Sequence, residues 1–235
     1  MTESSIDRIL GYMPFLGPAA VVTIMVSLAS IALATVVGIV AAMGSRSSGA
    51  LIRRATRTYI ELARAIPELV QIYIWFFLLP EFGIVLPPIV AGVLALGFAF
   101  GGYLAEVFRG GIEAIDAHQW EAGRVLGMGR LRTWTRVIIP QAFISVFPIW
   151  TSYFVSTFKA TAFLSIITVP DLMRETHRIA SLTFRYFELF TIALIFYFVI
   201  GYTSIVLLRR VEERWNRVLR PSQRAIGAGL GAQGV

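Results

Sequence analysis

Residues Ala117–Gln141 read AHQWEAGRVLGMGRLRTWTRVIIPQ and separate two of the most apolar runs in the chain. Arg124, Arg130, Arg132 and Arg136, with Gly123, Gly127 and Gly129 between them, cannot lie in hydrocarbon. The segment is therefore presented outside a membrane, and the apolar runs on either side enter it. Working outward, Ile9–Ser45, Phe82–Ala105, Val137–Phe158 and Leu189–Leu208 are each long enough to cross a core of roughly 30 Å. A fifth run, Ala65–Pro80, is interrupted by Glu68 and preceded by Glu61 and Arg64, as in a membrane helix with charges near one end. The whole chain agrees: of 235 residues 57% are hydrophobic and 15% charged, with a mean hydropathy of +0.73, outside the range of soluble domains. No alternating pattern of barrel strands occurs, so the backbone must be satisfied within helices. The expected fold is an all-α integral membrane protein with five transmembrane helices, at about 18–43, 59–80, 86–108, 138–168 and 187–209. Residues 1–220 form this domain, 116–136 are an extramembrane segment between helices three and four, and 221–235 are a flexible tail.

Orientation follows from arginine, which short loops keep on the cytoplasmic side. Arg46, Arg53, Arg54 and Arg57 follow helix one, Arg109 to Arg136 follow helix three, and Arg209 to Arg224 follow helix five. The turn at Glu81–Pro88 has no basic residue, and in the loop Asp171–Glu188 three arginines are offset by three acids. The N-terminus is expected outside and the C-terminus in the cytoplasm of a bacterial inner membrane. The net charge of +7 is thereby accounted for without a nucleic-acid partner. The first apolar run is too long and too poorly flanked by basic residues for a cleaved signal peptide, and is expected to stay. With no cysteine, disulfides and thiolate metal sites are excluded, and the tail glycines lack the strand and Gly-Lys-Ser/Thr of a nucleotide loop.

Within the central segment, Asp116 and Gln119 have the spacing of a capping box, Gly127 is placed to end a short helix in a left-handed conformation, and Pro140 fits the first turn of a membrane helix. Ala122 and Gly123 form a small-residue surface suited to a groove on another protein, with Glu121 to fix register.

Glu121, Ala122, Gly123, Gly127, Val137, Ile139 and Pro140 resemble the EAA motif (Glu-Ala-Ala, three residues, Gly, nine residues, Ile-x-Leu-Pro) of membrane subunits of ATP-binding-cassette importers. Gly123, Val137 and Ile139 are mild departures. YIELARAIPELVQIYIWFF from Tyr59 is similar to the FRGTPLLVQ region of polar-amino-acid permeases, keeping Arg64, Pro67, Leu69, Val70 and Gln71; YLAEVFRGGIEAI from Tyr103 and STFKATAFLSIITVPDL from Ser156 are similar to the same family. The resemblance implies a type I importer of polar amino acids or related zwitterions. Its expected partners are two ATPase subunits that carry ATP and magnesium, a second permease subunit, identical or homologous, an extracytoplasmic solute-binding protein, and membrane lipid. The chain itself would be no enzyme, hold no cofactor, and couple to the ATPase through residues 116–136. A secondary carrier or a membrane scaffold is the alternative, although no inverted repeat is visible.

Candidate path residues are Lys159, Ser152 and Ser156 on one helical face, with Tyr153, Thr157 and Thr161 adjacent. Lys159 is the chain's only lysine, and it either lines a path, snorkels to the surface, or pairs with Glu106. Ser156 and Lys159 also have the spacing of a nucleophile and base, without a visible oxyanion hole. Glu61 and Arg64, three apart, are expected to pair or to touch substrate, and Glu106 with Arg109 repeats the pattern as part of a charge network. Gly97, Gly101 and Ala105 invite close approach of another backbone, within the chain or from a second copy. His118 and His177 lack partners at metal-ligand spacing.

Overall fold

The computed structural model describes residues 5–219, and the expected tail 221–235 lies outside them. Among the described residues the backbone is helical, without strands: α1 (Ser5–Ser45), α2 (Ala50–Ala65), α3 (Glu68–Tyr73), α4 (Pro88–Glu113), α5 (Ala117–Val125), α6 (Arg130–Thr133), α7 (Ile139–Ala160), α8 (Leu172–Thr183) and α9 (Tyr186–Leu219). Four helical stretches are long and apolar enough to cross a membrane: Ile9–Ser45, Pro88–Glu113, Arg130–Ile167 and Tyr186–Trp215. A fifth candidate is a bent pair, Ala50–Ala65 with Glu68–Phe82, turned by 109° at the break.

That bend corrects the helix expected over 59–80. Pro67 has no N–H and disfavours the helical conformation in the residue before it, and Ile66 accordingly takes φ −90°, ψ 126°. Breaking a helix in an apolar setting frees carbonyls, each costing about 1–3 kcal/mol if left unpaired. Gln71, only 8% exposed, donates from Nε2 to the carbonyls of Ala63 and Ile66, both at 2.9 Å. Its amide thus staples the bend.

Two further prolines are handled differently. Pro80 and Pro140 each follow a π-helical turn by two residues, Ile74–Leu78 and Trp134–Ile138 respectively. The wider turn relieves the clash between a proline ring and the carbonyl four residues back. Pro140 lies in the first turn of α7, as expected, but α7 continues a helical run that begins before it, Arg130–Ile167. This run tightens to a 3₁₀ helix over Thr161–Ile167 and stops at Thr168, φ +68°.

α4 is the central element. Apolar burial gives little drive in lipid, so close packing must supply the attraction between helices. The small-residue stripe is used inside the chain: a Cβ on Gly97 would meet Leu33 Cδ2 at 2.5 Å, and one on Gly101 would meet Val37 and Tyr59 at 2.8 Å. Val26, Ile31, Ile72, Leu96, Leu104 and Leu164 fill the core where α1, α3, α4 and the 3₁₀ segment meet. Trp150 Nε1 donates to Thr35 Oγ1 at 2.9 Å, tying α7 to α1. A second cluster, including Leu16, Leu172, Ile179 and Leu189, joins α1 to α8 and α9. α8 occupies much of the stretch expected as a loop from Asp171 to Glu188, with Asp171 Oδ1 accepting from Arg174 N at 2.9 Å as its N-cap. On α9 the outward residues Leu194, Ile195, Phe198 and Val199 are uncovered.

Candidate functional site

The segment between α4 and α7 folds as a short hairpin. Asp116 caps α5 by accepting from His118 N at 2.9 Å. The reciprocal half of the expected box is not formed, because Gln119 Oε1 accepts instead from Gln141 Nε2 of α7 at 3.1 Å. α5 ends as the glycine spacing predicts: Gly127 has φ +68°, Met128 N donates to Gly123 O at 2.9 Å, and Gly127 N donates to Arg124 O at 3.0 Å. This pair of bonds is the Schellman arrangement, which needs a left-handed residue at that position. Trp120 stacks on Trp134 with centroids 5.5 Å apart, holding α5 to the π-turn.

The structure separates the two residues assigned to a common partner surface. Gly123 is buried against the chain itself, where a Cβ would lie 2.6 Å from Thr133 Oγ1; it sets the approach of α5 to α6 and does not belong to an outward face. Ala122 is exposed beside Glu121, whose carboxylate lies 3.2 Å from His118 Nδ1. The sequence reading missed the flanking apolar residues Val125, Leu126 and Leu131, which are 86%, 76% and 76% exposed.

A pocket of about 340 Å³ lies between α3, α4 and α7, lined by Glu68, Tyr103, Tyr153, Ser156, Lys159 and Phe163 among others. Tyr103 and Tyr153 stack at 5.6 Å to form one wall. Ser156 Oγ donates to Ser152 O at 3.0 Å, and Ser152 Oγ to Pro148 O at 3.3 Å, so both hydroxyls are tied to their own helix. No Ser156–Lys159 hydrogen bond forms among the described residues, which leaves a nucleophile–base pair without its geometry. Thr157 and Thr161 point into the core and are fully buried.

The remaining charges gather elsewhere. An open pocket of about 760 Å³ is lined by Arg57, Glu61, Arg64, Glu106, Arg109 and Glu113, among others, between α2 and α4. The expected Glu61–Arg64 ion pair is absent among the described residues. Glu106 pairs with Arg109 at 2.5 Å, Arg109 with Glu113 at 2.6 Å, and Glu113 with Arg46 at 3.1 Å. Glu106 is thereby committed to its own helix and not to Lys159. Tyr103 bridges the two pockets, lining the first while its hydroxyl donates to Arg64 O at 3.2 Å. No group of three or more His, Asp or Glu suited to a metal ion occurs among the described residues.

The sequence pattern of the family described as binding-protein-dependent transport system inner membrane component matches residues 34–217. The chain belongs to that family. Similar curated proteins are permeases too. Probable amino-acid ABC transporter permease y4tF of Sinorhizobium fredii is 32% identical over 87% of this chain and 90% of its own length. The L-cystine transport system permease TcyB of Bacillus subtilis is 29% identical over 88% of each. Among solved structures, an amino acid ABC transporter crystallised with histidines matches 91% of the permease and all of that chain, at 34% identity and a TM-score of 0.83. The MetNI methionine transporter, 15% identical with a TM-score of 0.73, shares the fold. Family membership sets aside the secondary-carrier and scaffold readings and makes the permease a transport subunit whose relatives work within ATP-driven importers.

Proposed function

We propose that the permease imports polar amino acids or related zwitterions, with the α5 hairpin docked on an ATPase subunit at the cytoplasmic face. The carrying observation is the outward apolar surface of Ala122, Val125, Leu126 and Leu131 on a segment rich in arginine. An apolar patch rimmed by charge and held clear of the membrane spans is what a protein partner covers. In this reading α2 and α3 together form one bent span, giving five crossings, N-terminus outside and C-terminus inside, as the arginine distribution supports. The assembly contains two permease subunits, two ATPases that bind ATP and magnesium, and an extracytoplasmic solute-binding protein.

Coupling follows from continuity. Arg130–Ile167, 38 residues, makes a rod of about 60 Å, about twice the hydrocarbon thickness. The hairpin is fixed to its lower end by the Trp120–Trp134 stack and the Gln119–Gln141 bond, and Lys159 lies near its upper end. Motion of an ATPase against α5 therefore reaches the Lys159 pocket along one helical run, in which Pro148 removes a single backbone hydrogen bond. Lys159, Ser152 and Ser156 mark the path on this rod, and Glu61, Arg64 and Glu106 line its charged mouth. The test is Ala122→Trp, whose indole cannot enter a groove shaped for a methyl group. Uptake should fall at least tenfold, with the ATPase released or hydrolysing without transport, and normal uptake at equal abundance would end the assignment.

A further inference from the structure

Glu68 was an interruption in an apolar run, and the fold places it in one pocket with the chain's only lysine. Each is positioned by an irregularity of the backbone: Glu68 follows the bend that Gln71 staples, and Lys159 ends α7 just before the helix tightens. Neither forms an ion pair or hydrogen bond among the described residues, so two opposite charges line this cavity without a direct bond between them, Lys159 also bordering a second, mainly apolar pocket against α9. Unpaired charges within a membrane protein are costly and point to a function. The stacked Tyr103 and Tyr153 line the same pocket and offer π-faces that attract a cation, and about 340 Å³ holds one amino-acid-sized solute. Where the FRGTPLLVQ pattern has leucine after its proline, this chain has Glu68, so the acidic pole is a departure from that pattern.

We propose that Glu68 is a specificity-determining residue that receives the cationic group of the solute, an α-ammonium or a basic side chain, while Lys159 holds its carboxylate. The proposal rests on the import reading above and names the charge pattern that the path selects. Losing one charge-assisted contact should weaken binding about ten- to hundredfold.

The measurement is equilibrium binding of radiolabelled arginine, glutamine and agmatine to the permease–ATPase complex in lipid nanodiscs, without the solute-binding protein. Glu68→Gln, and Glu68→Leu as the substitution nearest the family pattern, should each weaken arginine at least tenfold. An equal loss for glutamine assigns Glu68 to the α-ammonium, and retained glutamine binding assigns it to the basic side chain. Lys159→Met should weaken arginine but not agmatine, which lacks a carboxylate. Arginine affinity within twofold of the unmodified complex in both Glu68 variants would overturn the proposal, as would an unmodified complex that binds neither amino acid. A chain that purifies without an ATPase is recognised before ligand is added and refutes the import reading itself, and the proposal with it.

Discussion

Gly127→Val isolates the contribution of one backbone angle. Nothing lies within 4 Å of where a Cβ would be, so steric crowding contributes nothing there, and the cost comes from φ +68° alone. An L-residue in the left-handed region costs about 1–2 kcal/mol, more when β-branched. Escaping that strain would mean giving up the Met128–Gly123 and Gly127–Arg124 hydrogen bonds, together about 2 kcal/mol. The two amounts are similar, so valine would leave the turn divided between a strained native form and an opened one. Asparagine, which tolerates this conformation, should be nearly neutral, and alanine intermediate. The assay is ATP-driven uptake alongside ATP hydrolysis in reconstituted vesicles. The ratio of solute moved to ATP hydrolysed should fall in the order Asn, Ala, Val, with the ATPase still bound in the first two. A valine variant coupled as tightly as the unmodified protein would show that the shape of this turn does not transmit force. Gly123→Ala supplies a contrast, because there the collision with Thr133 sets the cost and φ does not.

Gln71→Leu should lower the melting temperature in detergent, since two carbonyls at the α2–α3 bend lose their donor at about 1–3 kcal/mol each; an unchanged midpoint would show that water serves them equally well. Asp171 is 1% exposed with Oδ2 unpartnered, and burial pushes its carboxyl up to about 7 against the lowering effect of the Arg174 N–H. The folded state thus holds this proton more tightly than the unfolded chain, whose carboxyl titrates near about 3.9, so stability falls as pH rises from there to about 7. Asp171→Asn should remove that fall, melting higher than the unmodified protein at pH about 8 by more than it does at pH about 5; parallel melting curves would refute it. For topology, Ser47→Cys should be shielded from impermeant thiol reagents in intact cells and Glu81→Cys should react, in a chain with no cysteine of its own; labelling of Ser47→Cys from outside would reverse the orientation.

Features controlled by neighbours in sequence were legible. The apolar windows locate α1, α4, α7 and α9, and the spacing of Asp116 and Gly127 marks both ends of α5. Features controlled by partners distant in sequence were not. Gln119 turned to Gln141, and Gly123 turned inward because Thr133 folds against it. The Glu106–Arg109 pair was legible from its spacing of three, but its extension through Glu113 to Arg46 at the end of α1 was not. Pro67 did carry a readable signal, since the residue before a proline avoids helical angles, yet the length of the apolar run suggested an unbroken span. The helical character of α8 was obscured by the balanced charges between Asp171 and Glu188.

The π-turn at Trp134–Ile138 makes the chain sensitive to counting. A π-turn holds one residue more than an α-turn, so deleting a single residue there lets the helix rewind without shortening the membrane-spanning part of α7. The hairpin below would then keep its bearing, whereas the same deletion in an ordinary α-turn of α7 would rotate it by about 100° about the rod axis. An insertion has no such reserve, because Trp134–Ile138 already holds the extra residue. One residue added at this place would preserve membrane insertion and yet aim Ala122 away from whatever it meets, so the spacing from Gly127 to Pro140 acts as an angular setting that tolerates a loss better than a gain.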